Sequence, residues 1–155
     1  MNNVVIKTTS SVQTKKTAKL LAREILYVKN KNALVLLLSG DLGAGKTTFV
    51  QGFLRGLGIR KKITSPTFTL VKSYKVKSYK VYYIDCYRIH KPKDILELGI
   101  NPPLKFKWGI KEILKNPQNI VLIEWPERIK RILPKTAIII KLKHGKKENE
   151  RIIEL

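Results

Sequence analysis

Apolar residues recur along this chain with two different periods, and the way those periods alternate predicts its elements. Val4 to Lys7 reads as a short edge strand. Ser10 and Gln13 stand in the S-x-x-Q spacing of a capping box. Ala18, Leu21, Ala22, Ile25 and Val28 follow at helical spacing, with Lys15, Lys16, Lys19 and Arg23 mostly on the other face. This amphipathic helix is expected to end near Asn30. Leu34 to Leu38 is wholly apolar, the mark of a strand buried on both faces as in a parallel sheet. A glycine-rich break follows at Gly40 to Gly45. Phe49, Val50, Phe53, Leu54 and Leu57 then resume helical spacing, and Gly58 is placed to stop that helix. Gly52 lies inside it at a cost of about 1 kcal/mol relative to alanine, which argues for close packing there.

Thr64 to Thr69 is polar and contains a proline, hence a loop. From Phe68 to Ile84 β-branched and aromatic residues interleave with lysine. Lys72-Ser73-Tyr74-Lys75-Val76 repeats at once as Lys77-Ser78-Tyr79-Lys80-Val81. An offset of that length puts matching side chains on opposite faces of one straight strand, and a hairpin turn near Val76 to Ser78 resolves the conflict. Short helices are predicted over Lys93 to Leu98 and Trp108 to Leu114, separated by the break Asn101-Pro102-Pro103. Ile120 to Ile123 is a second fully apolar strand, ended by Glu124, and Pro126 can open a short helix through Ile132. Thr136 to Leu142 and Arg151 to Leu155 form a terminal hairpin around His144-Gly145-Lys146. Buried strands alternating with helices indicate an α/β fold, a mostly parallel central sheet flanked by helices with antiparallel hairpin additions.

Composition narrows the class. A chain of 155 residues favours one compact domain over 1–155. With 43% hydrophobic and 28% charged residues it can build a core and is not a disordered tail. No apolar run approaches the ~18 residues needed to span a bilayer. The start of the chain lacks the pattern of a signal peptide, and the lone Cys86 cannot form an internal disulfide. A soluble cytoplasmic protein is expected. Thirty-two Lys and Arg against eleven Asp and Glu give a net charge of +21, which attracts polyanions such as RNA. The 25 lysines against 7 arginines, with 19 isoleucines, fit equally well the drift of an AT-rich coding sequence. Acidic residues are the scarcer signal, and the only aspartates are Asp41, Asp85 and Asp94.

The break after the first buried strand carries the chemistry. Gly40-Asp41-Leu42-Gly43-Ala44-Gly45-Lys46-Thr47 satisfies G-x-x-x-x-G-K-[ST], with a strand before it and a helix after it. Glycines let the backbone wrap a phosphate and aim its N–H groups inward, and the helix N-terminus adds partial positive charge. Asp41, Leu42, Gly43, Ala44, Gly45, Lys46, Thr47 and Thr48 are therefore the candidate nucleotide contacts. Lys46 would reach the β- and γ-phosphates and Thr47 would ligate Mg²⁺. Asp41 serves as well for a structural cap as for positioning water. No Asn-Lys-x-Asp guanine reader follows the loop, so ATP is favoured over GTP.

Ligands in open α/β sheets lie at the C-terminal ends of strands, and two carboxylates occupy such ends. Glu124 fits a role beside Mg²⁺; Asp85 fits either that role or orienting the attacking water. Each can also be read as a solvated strand-end acid or as half of a salt bridge. Ser65 and Thr67, in Thr64-Ser65-Pro66-Thr67, could sense a γ-phosphate or build a plain turn. Trp125 could be ordinary core or pack near nucleotide or partner. His90 and His144 show no metal-ligand spacing with each other or with Cys86, which reads as a small buried residue.

Five blocks in order then resemble the TsaE (YjeE) family, P-loop ATPases of bacterial tRNA threonylcarbamoyladenosine synthesis. They are Leu38 to Phe49, Ile63 to Phe68, Asp85-Cys86-Tyr87-Arg88, Glu97-Leu98-Gly99-Ile100 and Leu122 to Arg128, within roughly residues 10 to 135. The resemblance implies a Mg²⁺-dependent ATPase that works with TsaB and TsaD in modifying adenosine 37 of tRNAs reading codons that start with A. TsaD performs the transfer, and the ATP cycle supports turnover. By the same likeness Thr47 and Glu124 hold Mg²⁺, Asp85 is needed for hydrolysis, and Ser65-Pro66-Thr67 acts as a switch. Thr8, Thr9 and Lys146 are candidates near the base. Tyr83 stands where the family usually has His, Cys86 replaces a common Leu, and Pro102 to Trp108 is hard to align. A small-molecule kinase and a basic ATP-binding RNA adaptor are the competing functions.

Overall fold

The structure is a computed structural model and describes residues 4–28, 31–96 and 109–155. The Glu97-Leu98-Gly99-Ile100 block, the Asn101-Pro102-Pro103 break and the Pro102 to Trp108 segment lie outside the described residues. Among the described residues, seven strands form one sheet in the order β1-β7-β6-β2-β5-β4-β3. The strands are β1 (Val5–Thr8), β2 (Leu34–Ser39), β3 (Val71–Val76), β4 (Tyr79–Asp85), β5 (Asn119–Glu124), β6 (Ile138–His144) and β7 (Arg151–Glu154). The helices are α1 (Ser11–Ile25), α2 (Lys46–Gly56), α3 (Pro92–Leu96) and α4 (Ile110–Lys115), with a 3-10 helix over Pro126–Ile132. This is the mostly parallel α/β sheet expected, with antiparallel hairpins β3–β4 and β6–β7. The chain divides into two compact units, one of residues 1–29, 38–65 and 139–155, the other of 30–37 and 66–138.

In the first unit α1 packs on α2. Ser10 caps α1 by accepting from the Gln13 N–H at 3.2 Å. The Gln13 amide oxygen does not close the capping box on Ser10. It accepts from the N–H and hydroxyl of Thr9, at 2.8 and 2.9 Å, which ties the helix to the end of β1. The helix ends at Ile25 rather than near Asn30. Helix α2 ends in a Schellman motif: Gly58, at φ 101°, donates to Arg55, and Ile59 donates to Leu54. Close packing at Gly52 is confirmed, because a Cβ there would lie 2.3 Å from the Lys15 carbonyl oxygen and 2.5 Å from its Cα. Gly56, one turn on, meets Lys19 and Ala22 in the same way. Both obstacles at Gly52 are backbone, so Gly52→Ala is expected to lower stability by about 1–3 kcal/mol in urea denaturation despite its better helix propensity.

In the second unit β4 and β5 run parallel, pairing Tyr83 with Leu122 and Asp85 with Glu124. Every residue of β5 is buried, as its apolar run requires. The tandem repeat folds back on itself as expected, pairing Lys75 with Lys80 and Val76 with Tyr79. The turn lacks glycine, and Lys77 adopts φ 51° there. Val71, Tyr82, Ile84, Val121 and Ile123 share one core with Ile113 of α4 and Ile129 of the 3-10 helix. Parallel pairing thus places two carboxylates side by side at neighbouring strand ends.

Candidate functional site

The first unit holds the phosphate loop. Strand β2 delivers the chain to Gly40 at φ 142°, and the turns at Gly43 (φ 76°) and Gly45 (φ 98°) wind it into α2. A Cβ on Gly40 would sit 2.2 Å from the Leu142 carbonyl oxygen, so this position admits only glycine. Gly45 is the N-cap of α2 and supplies no capping side chain, so the helix start presents backbone to a ligand. Lys46 is 5% exposed. Its ammonium donates to the carbonyls of Gly40 at 2.6 Å and Asp41 at 2.8 Å, which holds a buried cation across the loop. Asp41 and Leu42 are exposed, Ala44 is buried, and Thr47 and Thr48 are half-buried in the first turn of α2. Positive-φ glycines, a buried lysine and a helix N-terminus are the features a nucleotide phosphate requires.

Two further side chains reach this loop that its local sequence does not reveal. Arg151 opens β7 and donates to the Gly43 carbonyl at 3.1 Å, across 108 residues of chain. The same guanidinium donates to the carbonyls of Glu148 at 2.6 Å and Glu150 at 2.7 Å. His144, its register partner on β6, places Nε2 3.3 Å from the Leu42 carbonyl oxygen. Only the hairpin register puts both at the loop, and no spacing in the sequence encodes that register. Lys146, a candidate near the base, has its N–H on Glu150 at 3.1 Å. Thr8 and Thr9 are engaged beside α1, the Thr8 hydroxyl with Thr14 at 2.7 Å.

Glu150 organises that hairpin end. Its carboxylate takes the Lys7 ammonium at 2.9 Å and the N–H groups of Lys146 and Lys147. The Lys7 hydrogen bond, more than the backbone donors, holds the acid below its ordinary value of 4.5. A depressed carboxylate stabilises the fold fully above its unfolded-state value, and that contribution is lost as pH falls through the lower folded-state value. The difference in melting temperature between wild type and Glu150→Gln is therefore expected to shrink as pH drops from about 5 to about 3. Thermal unfolding by circular dichroism checks it, and a constant difference would refute the link.

The second unit holds the acids. Asp85 and Glu124, each 3% exposed, end β4 and β5 in register. Asp85 accepts from the Thr67 hydroxyl at 2.8 Å and from the Tyr87 N–H at 3.0 Å. The Tyr83 phenol donates to Glu124, so the residue standing in place of the family's His supports the acid directly. Neither acid is a solvated strand end; both are buried and hydrogen-bonded. Trp125 follows at φ 57° and lays its ring against Tyr87, with centroids 5.2 Å apart. Cys86 is fully buried, and burial, reinforced by Asp85 and Glu127, pushes its thiol up to about 12. Ser65, half-buried, closes the first unit's central segment. Among the described residues no group of three or more His, Cys, Asp and Glu could hold a metal ion. No described helix is long and apolar enough to cross a membrane.

Comparison with known proteins agrees with these features. The family model described as "Threonylcarbamoyl adenosine biosynthesis protein TsaE" matches residues 8–153. The tRNA threonylcarbamoyladenosine biosynthesis protein TsaE of Haemophilus influenzae is 34% identical over 134 residues, 86% of this chain and 77% of that one. The protein of the same name from a Nostoc species is 44% identical over 111 residues, 72% of this chain and 63% of that one. The crystal structure of Bacillus subtilis YdiB superposes with a TM-score of 0.69 at 31% identity, covering 99% of this chain and 84% of that one. With a phosphate loop, paired strand-end acids and a match running almost end to end, the chain belongs to the TsaE family of tRNA threonylcarbamoyladenosine biosynthesis proteins.

Proposed function

We propose that this protein is a Mg²⁺-dependent ATPase that supports threonylcarbamoylation of adenosine 37 in tRNAs reading codons that start with A. It works beside TsaB and TsaD in the cytoplasm, meets tRNA directly or through that complex, and leaves the transfer itself to TsaD. The observation that carries this reading is the buried Lys46 held across a positive-φ glycine loop at the start of α2. Two buried carboxylates at neighbouring strand ends suit chemistry on a nucleotide, and an adaptor that binds ATP only as a structural ligand has no use for them. Asp41, Leu42, Gly43, Ala44, Gly45 and Thr48 would surround the phosphates, and Lys46 would neutralise their charge. The Thr47 hydroxyl and the Glu124 carboxylate would hold Mg²⁺, whose chemistry is to offset charge developing on the phosphate oxygens. Asp85 would orient the attacking water and accept its proton, while Ser65 and Thr67 report the state of the nucleotide. Trp125 would pack near nucleotide or partner.

Arg151 would act on this site without touching the reacting atoms, by fixing the Gly43 carbonyl so that the loop's N–H groups stay turned inward. A hydrogen bond from a charged donor contributes about 1.5–3 kcal/mol. Arg151→Ala is therefore expected to weaken Mg·ATP at least ~10-fold, read by calorimetric titration. Wild-type affinity in that variant would remove Arg151 from the account. The function as a whole is tested by reconstitution. Leaving this protein out of a mixture of TsaB, TsaD, tRNA and substrates should cut multiple-turnover product, read by nucleoside mass spectrometry. Undiminished product would refute the proposal.

A further inference from the structure

We infer that Phe68, Tyr87 and Arg88 form a docking surface for a protein partner that presents an apolar pocket rimmed by carboxylates, and that this surface is wired to Asp85. All the groups concerned lie in the second unit. Phe68 is 81% exposed on the loop that follows Ser65-Pro66-Thr67, where a large apolar ring gains nothing from water. The Arg88 guanidinium stacks 4.3 Å from the centre of that ring. Tyr87, 43% exposed, is backed by Trp125. Aromatic rings and arginine on a firm base are the composition of interface hot spots. A guanidinium held on a ring face presents its remaining donors for a bidentate carboxylate, and a protein of net charge +21 draws an acidic surface.

The wiring is direct. Thr67, next to Phe68, donates its hydroxyl to one Asp85 oxygen, and the Tyr87 N–H donates to the other. Both oxygens of one buried acid therefore answer to residues flanking the exposed rings. The backbone here is also held off its relaxed state. Leu70 (φ 62°), which ends the loop and accepts from the Asp85 N–H at 2.9 Å, and Trp125 (φ 57°) are both non-glycine residues in the left-handed region. Such conformations persist where the surroundings enforce them and cluster at switch segments. A partner that grips Phe68 pulls on Thr67 and resets the acid, so docking and hydrolysis become one event.

This inference rests on the functional reading above for its probe, the TsaB–TsaD pair. Binding of that pair to the full chain is measured by biolayer interferometry, alongside Mg·ATP affinity of the isolated chain. Phe68→Ala is expected to weaken the pair about 30-fold, and Arg88→Glu at least as much, with Mg·ATP affinity within twofold of wild type. Phe68→Leu should restore most of the loss. Partner binding by Phe68→Ala within threefold of wild type overturns the assignment. So does an equal fall in nucleotide affinity, which would make the ring a nucleotide contact. If the wild-type chain itself fails to bind the pair, the functional reading falls and takes this surface with it.

Discussion

Lys46→Ala is expected to abolish ATP hydrolysis and weaken Mg·ATP binding by at least ~100-fold, a loss of about 3 kcal/mol or more. The lysine is 5% exposed and spans the loop through the Gly40 and Asp41 carbonyls. Alanine removes a side chain that brings a full positive charge into the cradle, and no backbone dipole replaces it. It also leaves two loop carbonyls without that donor, so a stability loss of about 1–3 kcal/mol accompanies the functional one. Circular dichroism at the assay temperature separates the two, because a folded but inactive variant assigns the effect to charge. The same variant sorts the competing functions. An RNA adaptor that uses ATP only as a structural ligand would keep its RNA affinity and its contribution to tRNA modification, whereas an ATPase would lose the contribution.

Glu124→Gln is expected to lower hydrolysis by roughly 100-fold or more while the chain stays folded. The carboxylate is 3% exposed at the end of a strand in which every residue is buried. The Tyr83 phenol meets one oxygen, and the amide keeps an oxygen able to accept that hydrogen bond. The substitution thus preserves volume and one contact while discarding the charge that a divalent ion needs. Thermal unfolding by circular dichroism checks that the variant is folded. A variant that hydrolyses ATP normally with an unchanged Mg²⁺ optimum would show that Glu124 is not a metal ligand. An unfolded variant would show instead that the acid is structural.

Much of the fold was legible because burial leaves local periods behind. The unbroken apolar runs of β2 and β5 read as strands covered on both faces, and the helical spacing of Phe49, Val50, Phe53 and Leu54 reads as α2. Gly52 was legible as a packing site because a helix-breaking residue inside a helix needs a reason, and the Lys15 backbone supplies it. The hairpin in the tandem repeat followed from face parity. Boundaries were less legible. Helix α1 stops at Ile25 although the apolar pattern runs to Val28, because periodicity continues past the point where the chain turns away. Pro126 does open a helix, but a 3-10 helix kinked at Ile129, a distinction that residue spacing does not carry.

Local pattern alone was enough for the α/β class, the phosphate loop and the identity of the two acids, since each depends on residues close together in the chain and on constraints as strict as a glycine's φ. Packing decided the rest. It set Asp85 beside Glu124 in register, gave Tyr83 to Glu124 and Thr67 to Asp85, and brought Arg151 to Gly43 from the far end of the protein. Those contacts arise from strand register and crossover, which many distant side chains determine jointly and no short stretch of sequence specifies.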